Sequence, residues 1–279
     1  MQTGFYNVTG GMVTQMNRLD IISHNLANIN TTGYKRTDVV IGDFMRLYET
    51  KKDELPLEDQ TKATAKYLNR AMTRVPHVVE EYRDLKAGAM QITDNTFDFA
   101  LGNDNAFFMI ETPEGVRYTR DGSFTLNHEG RLVTKEGFAV LPREYVDGPQ
   151  YIDIPEGAAI DVDPLGNIYA KFLTFEQMSE ASVPIGNIAV VAFENPKYLQ
   201  NTGGNLYKYP EERDEERSFN EGNGPVFQGV LEKSNVNAVL EMTGLIETQR
   251  LVEMYGKVIN THMDDLNNDA INKLAQRSS

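Results

Sequence analysis

One segment of the sequence spaces its polar residues like the start of a calcium loop. Residues 161–168 read DVDPLGNI, with aspartates at the first and third positions. Pro164 and Leu165 stand at expected ligand positions, and Phe172 stands where such a loop needs a bidentate glutamate. We therefore interpret this segment as a hairpin turn.

Other candidates for chemistry are weaker. The chain has four histidines, none at metal-ligand spacing: His24, His77, His128 and His262. His24 and His262 could meet if the two chain ends pair as helices, but an interfacial or solvated role is the favoured interpretation. Glu80-Glu81 would suit a wall hydrolase as an acid–base pair only if the fold placed the two carboxylates around a substrate. The sequence contains no phosphate loop, dinucleotide fingerprint or nucleophile elbow. We predict no catalytic residues, no cofactor and no metal.

Composition argues against several further classes of protein and of binding site. The 279 residues include no cysteine, so neither disulfides nor thiolate metal sites are available. A formal net charge of −14 argues against nucleic acid as a partner, because phosphate binding needs a basic face. No apolar run approaches the length of about 18 residues that a membrane span needs. The N-terminal residues also lack the pattern of a cleavable secretory signal, so we expect neither an integral membrane protein nor Sec-type export.

The first thirty residues carry an apolar heptad repeat, which is typical of a helix that packs along another helix. One row of the repeat consists of Phe5, Met12, Leu19 and Leu26, and the other of Val8, Gln15, Ile22 and Ile29. Gly10-Gly11 interrupts the repeat at a cost of about 1 kcal/mol per glycine relative to alanine. The sequence therefore predicts an N-terminal helix that depends on its partner for stability.

This helix is expected to end in a polar turn. The predicted turn, or hinge, consists of Asn30, Thr31, Thr32, Gly33 and Tyr34, which include residue types that favour helix ends and turns. Asn25 and Asn28 are either ordinary cap residues or carry amides that bridge to a second helix, where a buried asparagine sets the register. We favour a mixture of the two roles.

A second heptad at the other end of the chain supplies the expected partner. Leu245, Val252, Ile259 and Leu266 repeat every seven residues, supported by Met242, Leu251, Tyr255, Val258 and Met263. Ser234-Asn235 is the expected N-cap of a helix of about 35 to 40 residues, roughly 50 to 60 Å long. We predict an assembly interface made of Phe5, Met12, Leu19, Ile22, Asn25, Leu26, Asn28, Ile29, Leu245, Val252, Tyr255, Ile259 and Leu266.

Between the two heptads the pattern changes to short strands. Residues 107–111 with 116–119, and 123–126 with 131–134, flank turn sequences typical of hairpins. Further strands are expected at residues 151–154, 159–162, 167–172 and 187–193, and an edge strand at 75–82. We predict an α+β fold with paired terminal helices and a central, mainly antiparallel β domain. The expected division is 1–37 with 229–279 as the helical domain, 38–87 as an extended connector and 88–228 as the β-rich outer domain.

Three separate segments resemble the flagellar rod and hook family of axial proteins. The first is residues 23–35, SHNLANINTTGYK. The second combines 96–101, TFDFAL, with Phe107-Phe108, 118–124, YTRDGSF, and 130–134, GRLVT. The third is 229–237, GVLEKSNVN, followed by Glu241-Met242 and 247–250, ETQR. The length and the third segment are more similar to the basal-body rod members, the FlgF and FlgG types, than to the hook protein.

The resemblance implies a structural subunit of the rod inside the bacterial cell envelope. It implies export through the flagellar type III apparatus, assembly into a helical tube that crosses the periplasm and transmits torque, and contacts with other rod and hook proteins. Alternatives are a hook-type protein, a scaffold or cap protein, or a β domain that docks a surrounding envelope ring.

Overall fold

The computed structural model describes residues 2–43, 76–147, 151–155, 157–173, 180–219 and 224–277. Within these residues the chain forms two compact units. Unit 1 contains Met1–Ala27, Thr37–Arg83 and Asn237–Ser279, and unit 2 contains Asn28–Arg36 and Asp84–Val236. The middle of the predicted connector, residues 44–75, lies outside the described residues.

Unit 1 is built on two helices, α1 (Gln2–Ala27) and α2 (Ala238–Arg277). The 40 residues of α2 correspond to a length of about 60 Å at the usual rise per residue. The expected N-cap is wrong, because Asn237 caps α2 by accepting the N–H groups of Val239 and Leu240 at 3.0 and 3.3 Å. Ser234 and Asn235 instead lie in unit 2.

The two helices pack against each other in antiparallel orientation. Facing residues rise in number along α1 as they fall along α2: Phe5 with His262, Gly11 with Tyr255, Ile22 with Gly244, and Asn25 with Glu241. His262 therefore lies beside the start of α1, about 30 Å from His24 near its end. The suggestion that these two histidines meet is wrong.

A two-stranded antiparallel ribbon packs on α1 and completes unit 1. It consists of β1 (Thr37–Asp43) and β2 (Pro76–Arg83). Pro76, which lacks an N–H group, begins β2, a position that spares the ladder a missing donor. The segment that we expected to be an extended connector therefore contributes a paired ribbon at both of its described ends.

Unit 2 contains sixteen strands among its described residues. They are β3 (Met90–Ile92), β4 (Phe99–Leu101), β5 (Ala106–Thr112), β6 (Gly115–Thr119), β7 (Phe124–Leu126), β8 (Leu132–Thr134), β9 (Ala139–Val140), β10 (Ala159–Val162), β11 (Asn167–Leu173), β12 (Glu180–Asn187), β13 (Val190–Phe193), β14 (Gln200–Gly203), β15 (Leu206–Lys208), β16 (Arg217–Phe219), β17 (Val226–Gln228) and β18 (Val230–Glu232).

The strands of unit 2 pair in antiparallel fashion throughout the described ladders. The largest sheet runs β14-β15-β6-β5-β9-β8-β7, with β13 pairing with both β5 and β16. Strand β5 lies at its centre and is covered on both faces, because Phe108 and Ile110 enter one apolar cluster while Phe107 and Met109 enter another. The paired phenylalanines of the sequence thus serve two opposite faces of one strand.

The predicted α+β class and both predicted hairpins, β5–β6 and β7–β8, are confirmed. Residues 151–154 do not form a strand, although Ile152 and Ile154 are buried and bond to Leu132 and Gly130 through their main chains. The expected strand at 187–193 is divided, because Asn187 ends β12 and Val190 begins β13. Hydrophobicity marked these residues as buried without distinguishing regular from irregular backbone.

Other parts of the sequence interpretation map as follows. The turn between β10 and β11 is closed by Asp163, whose Oδ1 accepts the N–H groups of Leu165 and Asn167, both at 2.9 Å. The segment interpreted as a turn is therefore a turn. The charged segment at residues 210–217 contains a 3-10 helix at Glu211–Glu216. Residues 28–36 and 229–236 belong to unit 2, whereas the prediction places them in the helical domain.

Candidate assembly interface

Most of the predicted interface residues lie along the contact between α1 and α2. The exceptions are Leu266, and Asn28 and Ile29, which follow the end of α1 and lie in unit 2. Ile22 and Asn25 are fully buried in unit 1, whereas Leu266 is 41% exposed. The other predicted residues of the two helices are half-buried, namely Phe5, Met12, Leu19, Leu26, Leu245, Val252, Tyr255 and Ile259. Leu266 is exposed because antiparallel pairing places it beyond the described start of α1.

Gly11 allows a close contact between the helices. A Cβ atom at Gly11 would lie 2.8 Å from the Cζ atom and 2.9 Å from the hydroxyl oxygen of Tyr255. The Tyr255 ring therefore fills the space that a side chain at position 11 would occupy. Farther along the pair, Phe5 stacks on His262 with ring centroids 6.3 Å apart.

Asn25 links three chain segments of unit 1. Its Oδ1 accepts the N–H of Thr37 at 3.0 Å, and its Nδ2 donates to the carbonyl oxygen of Thr37 at 2.8 Å. The same Nδ2 lies 3.5 Å from Oε2 of the buried Glu241 on α2. Asn25 thus holds the start of β1 against the end of α1 and also reaches the second helix.

A polar row of the interface was missed by sequence reasoning. Glu241, Thr248, Tyr255 and His262 follow one another at seven-residue spacing on α2, and Glu241 and Thr248 are each only 2% exposed. A heptad search based on apolar residues does not detect a row that is occupied mainly by polar side chains. Completing the heptad from Tyr255 in both directions would have found it.

The predicted turn residues belong to a segment that we call the strap, Asn28–Arg36, which lies in unit 2. Thr31 closes the turn through its N–H and Oγ1, which donate to the Asn28 carbonyl oxygen and Oδ1, both at 3.1 Å. Gly33 has φ +67°, and a Cβ there would lie 2.4 Å from the Arg120 carbonyl carbon. Only glycine fits both this backbone conformation and this close approach.

The remaining predicted turn residues anchor or extend the strap. The Thr32 hydroxyl donates to Asp121 Oδ1 at 2.7 Å, and Asn205 Nδ2 donates to the Thr32 carbonyl oxygen at 2.8 Å. Asn30 is exposed, whereas Ile29 and Tyr34 are half-buried.

A buried charge cluster receives the end of the strap. Lys35 Nζ lies 2.7 Å from Glu232 Oε1 and donates to the Lys86 carbonyl oxygen at 2.8 Å. Arg120 Nη2 lies 2.8 Å from Glu232 Oε2 and forms a buried ion pair with it. Arg120 Nη1 donates to the carbonyl oxygens of Asn103 and Ala106 at 2.6 and 2.5 Å.

This cluster buries two cations with one carboxylate. Burial lowers the pKa of Lys35, and the Arg120 guanidinium lowers it further, while Glu232 and the exposed Asp104 oppose the shift. The lysine, the arginine and the glutamate lie far apart in the sequence, and no local pattern connects them.

Family models match three stretches of the chain. The model "Flagella basal body rod protein" matches residues 5–35, "Flagellar hook protein FlgE/F/G D1 domain" matches 103–170, and "Flagellar basal body rod FlgEFG protein C-terminal" matches 228–273. The two terminal matches therefore contain most of α1, most of the strap, most of α2 and Glu232.

Whole-chain relatives extend this similarity. The chain is 32% identical to the flagellar basal-body rod protein FlgG of Borreliella burgdorferi, over 94% of this chain and 95% of that protein. It is 32% identical to FlgG of Buchnera aphidicola subsp. Schizaphis graminum, over 90% and 92%. It is 31% identical to FlgF of Caulobacter vibrioides, over 99% of both. The chain belongs to the flagellar basal-body rod protein family.

The rod subunit is accordingly a structural protein of the basal-body rod, and its family is not an enzyme family. Membership implies polymerisation with other rod components. Within the described residues, neither helix is long and apolar enough to span a membrane. The described part of the chain also gathers no group of three or more His, Asp or Glu residues suited to a metal ion.

Proposed function

We propose that the rod subunit assembles with copies of itself into a helical tube that transmits torque from motor to hook. The outward faces of α1 and α2 make the contacts between copies. In this proposal residues 1–37 and 229–279 form the assembly domain, 38–87 connect, and 88–228 form the β-rich domain.

The observation that carries this proposal is the apolar exposure of the helix pair. Tyr6, Val13 and Met16 of α1 are 59%, 52% and 48% exposed. On α2 six apolar residues between the helix start and the middle are about half exposed or more: Val239, Leu240, Met242, Ile246, Met254 and Val258. These nine large apolar side chains left exposed along one helix pair favour a protein–protein contact, because leaving them in water is unfavourable.

The end of α2 supports the same proposal. Antiparallel pairing leaves the residues of α2 beyond Asp264 without a counterpart on the described α1. Leu266 and Ile271 lie in this part and are 41% and 62% exposed. Leu266 continues the heptad row of Leu245, so the apolar row of α2 extends past its contact with the described α1. A neighbouring copy is the partner that this continuation favours.

We also propose the route and the neighbours of the subunit. It is exported by the flagellar type III apparatus without a cleavable signal and forms part of the rod that crosses the periplasm. Its axial neighbours are other rod and hook proteins, and surrounding envelope rings contact the β-rich domain. These proposals rest on membership of the rod family.

A matched pair of charge substitutions tests assembly through α2. Met254→Glu places a charge on an exposed apolar position, and Gln249→Glu adds the same charge at an exposed polar position of the same helix. We expect Met254→Glu to reduce the subunit in isolated basal bodies at least tenfold, relative to the amount exported, and to abolish swimming. Gln249→Glu should behave like the unmodified chain.

Circular dichroism of both purified variants should show unchanged helix content. Normal incorporation of Met254→Glu, or equal loss with Gln249→Glu, would contradict the proposed interface.

A further inference from the structure

We infer that Glu232 and Asn235 are positioning residues that lock the strap onto unit 2 and so fix the points at which the chain leaves it. Three segments of unit 2 are involved: the strap, an entry segment at residues 84–88, and an exit segment at residues 232–236. The strap follows α1 and precedes β1, the entry segment follows β2, and the exit segment precedes α2. Every connection between the two units passes through one of these segments.

The Asn235 side chain joins the three segments. Its Oδ1 accepts the N–H of Arg36 in the strap at 2.7 Å. Its Nδ2 donates to the carbonyl oxygens of Asp84 and Lys86 in the entry segment at 2.7 and 3.1 Å. Because one acceptor and two donors are needed at once, a carboxamide fits this position and a carboxylate does not.

Glu232 holds both the strap and the entry segment. Its Oε1 pairs with Lys35 and also accepts the Gly88 N–H at 2.9 Å, while its carbonyl oxygen accepts the Gly33 N–H at 2.8 Å. Glu232 is 2% exposed, and the Lys35 and Arg120 side chains are both 0% exposed. Removing its charge would leave two buried cations without a buried anion.

Main-chain segments approach each other so closely at Gly33 and Gly88 that no larger residue fits at either position. A Cβ at Gly88 would lie 1.8 Å from the Lys233 carbonyl oxygen, an even tighter approach than the 2.4 Å at Gly33. The strap therefore docks through backbone proximity at its glycine and through charge at its lysine. Any effect of this docking on rod assembly rests on the proposed function. The docking itself does not depend on that function.

The rate of trypsin cleavage after Arg36 in the purified full chain reports whether the strap is docked. Cleavage after Arg36 is slow in the unmodified protein if the Arg36 N–H is held by Asn235. Glu232→Gln preserves shape but removes the anion, and we expect the fragment 1–36 to appear at least tenfold faster by mass spectrometry. Asn235→Asp, which removes both donors, should have the same effect with unchanged strand content.

A second substitution distinguishes positioning of the strap by the charge of Glu232 from a merely structural contribution of these contacts. In the Glu232→Gln background, Lys35→Met removes one of the two unpaired cations and should slow cleavage after Arg36. A merely structural role predicts faster cleavage instead, because another contact is lost. Asp161→Asn, which removes the exposed ion pair with Lys171 at 3.1 Å, is the matched control and should leave cleavage unchanged.

The outcomes are distinct. Wild-type protection in both Glu232→Gln and Asn235→Asp would overturn the lock, and if Glu232→Gln fails to fold, Asn235→Asp alone decides. Faster cleavage after adding Lys35→Met would overturn the role of charge. Met254→Glu should remain protected at Arg36, so loss of assembly in that variant tests the proposed function without touching the lock.

Discussion

Asn25 and Asn235 use the same chemistry in the two units. Each carboxamide accepts a main-chain N–H with its oxygen, from Thr37 and Arg36 respectively, and donates to main-chain carbonyl oxygens with its nitrogen. A buried main-chain group left without a partner costs about 1 to 3 kcal/mol. Side chains that serve several such groups are therefore hard to replace, even though they contribute no apolar area.

Tyr209 gives unit 2 a specific response to high pH. Its hydroxyl donates to Glu216 Oε2 at 2.8 Å, and burial, with this hydrogen bond second, raises its pKa to about 12. An unfolded tyrosine has a pKa of about 10. Between these values the folded chain keeps a proton that the unfolded chain loses, so stability falls as pH rises.

Tyr209→Phe isolates this effect. The contribution of the hydroxyl is fully present below pH 10 and is lost as pH rises toward about 12. The unfolding free energy of the unmodified chain minus that of Tyr209→Phe should fall by up to about 1.4 kcal/mol per pH unit in this interval. Urea unfolding at pH 9, 10.5 and 11.5 measures it, and a difference that does not change with pH would contradict the assignment.

At the scale of elements, the glycines of the two helices have unequal roles. A Cβ at Gly256 would meet nothing within 4 Å, whereas a Cβ at Gly11 would meet the Tyr255 ring. Replacing a glycine inside a helix with alanine favours the helix by about 1 kcal/mol. The contact with Tyr255 opposes that gain at position 11 only.

Two alanine substitutions test this difference. Gly256→Ala should raise the unfolding free energy of the unassembled subunit by about 1 kcal/mol. Gly11→Ala should raise the unfolding free energy by less, because the Tyr255 ring must move. In a chain that already carries Tyr255→Ala, adding Gly11→Ala should give the full increase. Equal stabilisation by the two single substitutions in urea unfolding would show that the close packing at Gly11 has no energetic weight.

The paired helices were predictable because their apolar residues repeat every seven positions. Phe5 to Leu26 and Leu245 to Ile259 identify the contact, but they do not identify its direction. Direction and register follow from tertiary contacts such as Gly11 with Tyr255, which no pattern within one helix encodes. That is why Leu266, which continues the row perfectly, was assigned to the contact and is exposed instead.

The strap illustrates what local sequence does and does not determine. Thr31 and Gly33 predicted a turn, since their residue types favour one, and a turn is present. Its docking depends on Lys35, Arg120 and Glu232, which are separated by 85 and 112 residues. Isolated charges normally indicate exposed positions, so burial of all three could not be inferred from their types.

At the scale of the whole molecule, unit 2 supplies most of the buried core and unit 1 supplies the surface proposed for assembly. Unit 2 has two apolar clusters within the chain, with Phe107 and Phe108 on the two faces of β5 both fully buried, although Ile92 and Leu165 stay exposed. Unit 1 leaves residues such as Val239 and Met254 exposed. This difference is expected of a subunit whose β-rich unit folds on its own contacts and whose helices gain their remaining contacts from neighbouring copies.

A subunit-resolution electron cryo-microscopy map of rods isolated from the native cells tests the central claim most directly. The account predicts that Tyr6, Val13, Val239 and Met254 are buried between copies, and that the end of α2 around Leu266 packs on a helix of a neighbour. The opposite result would be a map in which these side chains face solvent while copies touch through unit 2 alone. That map would contradict assembly through the terminal helices.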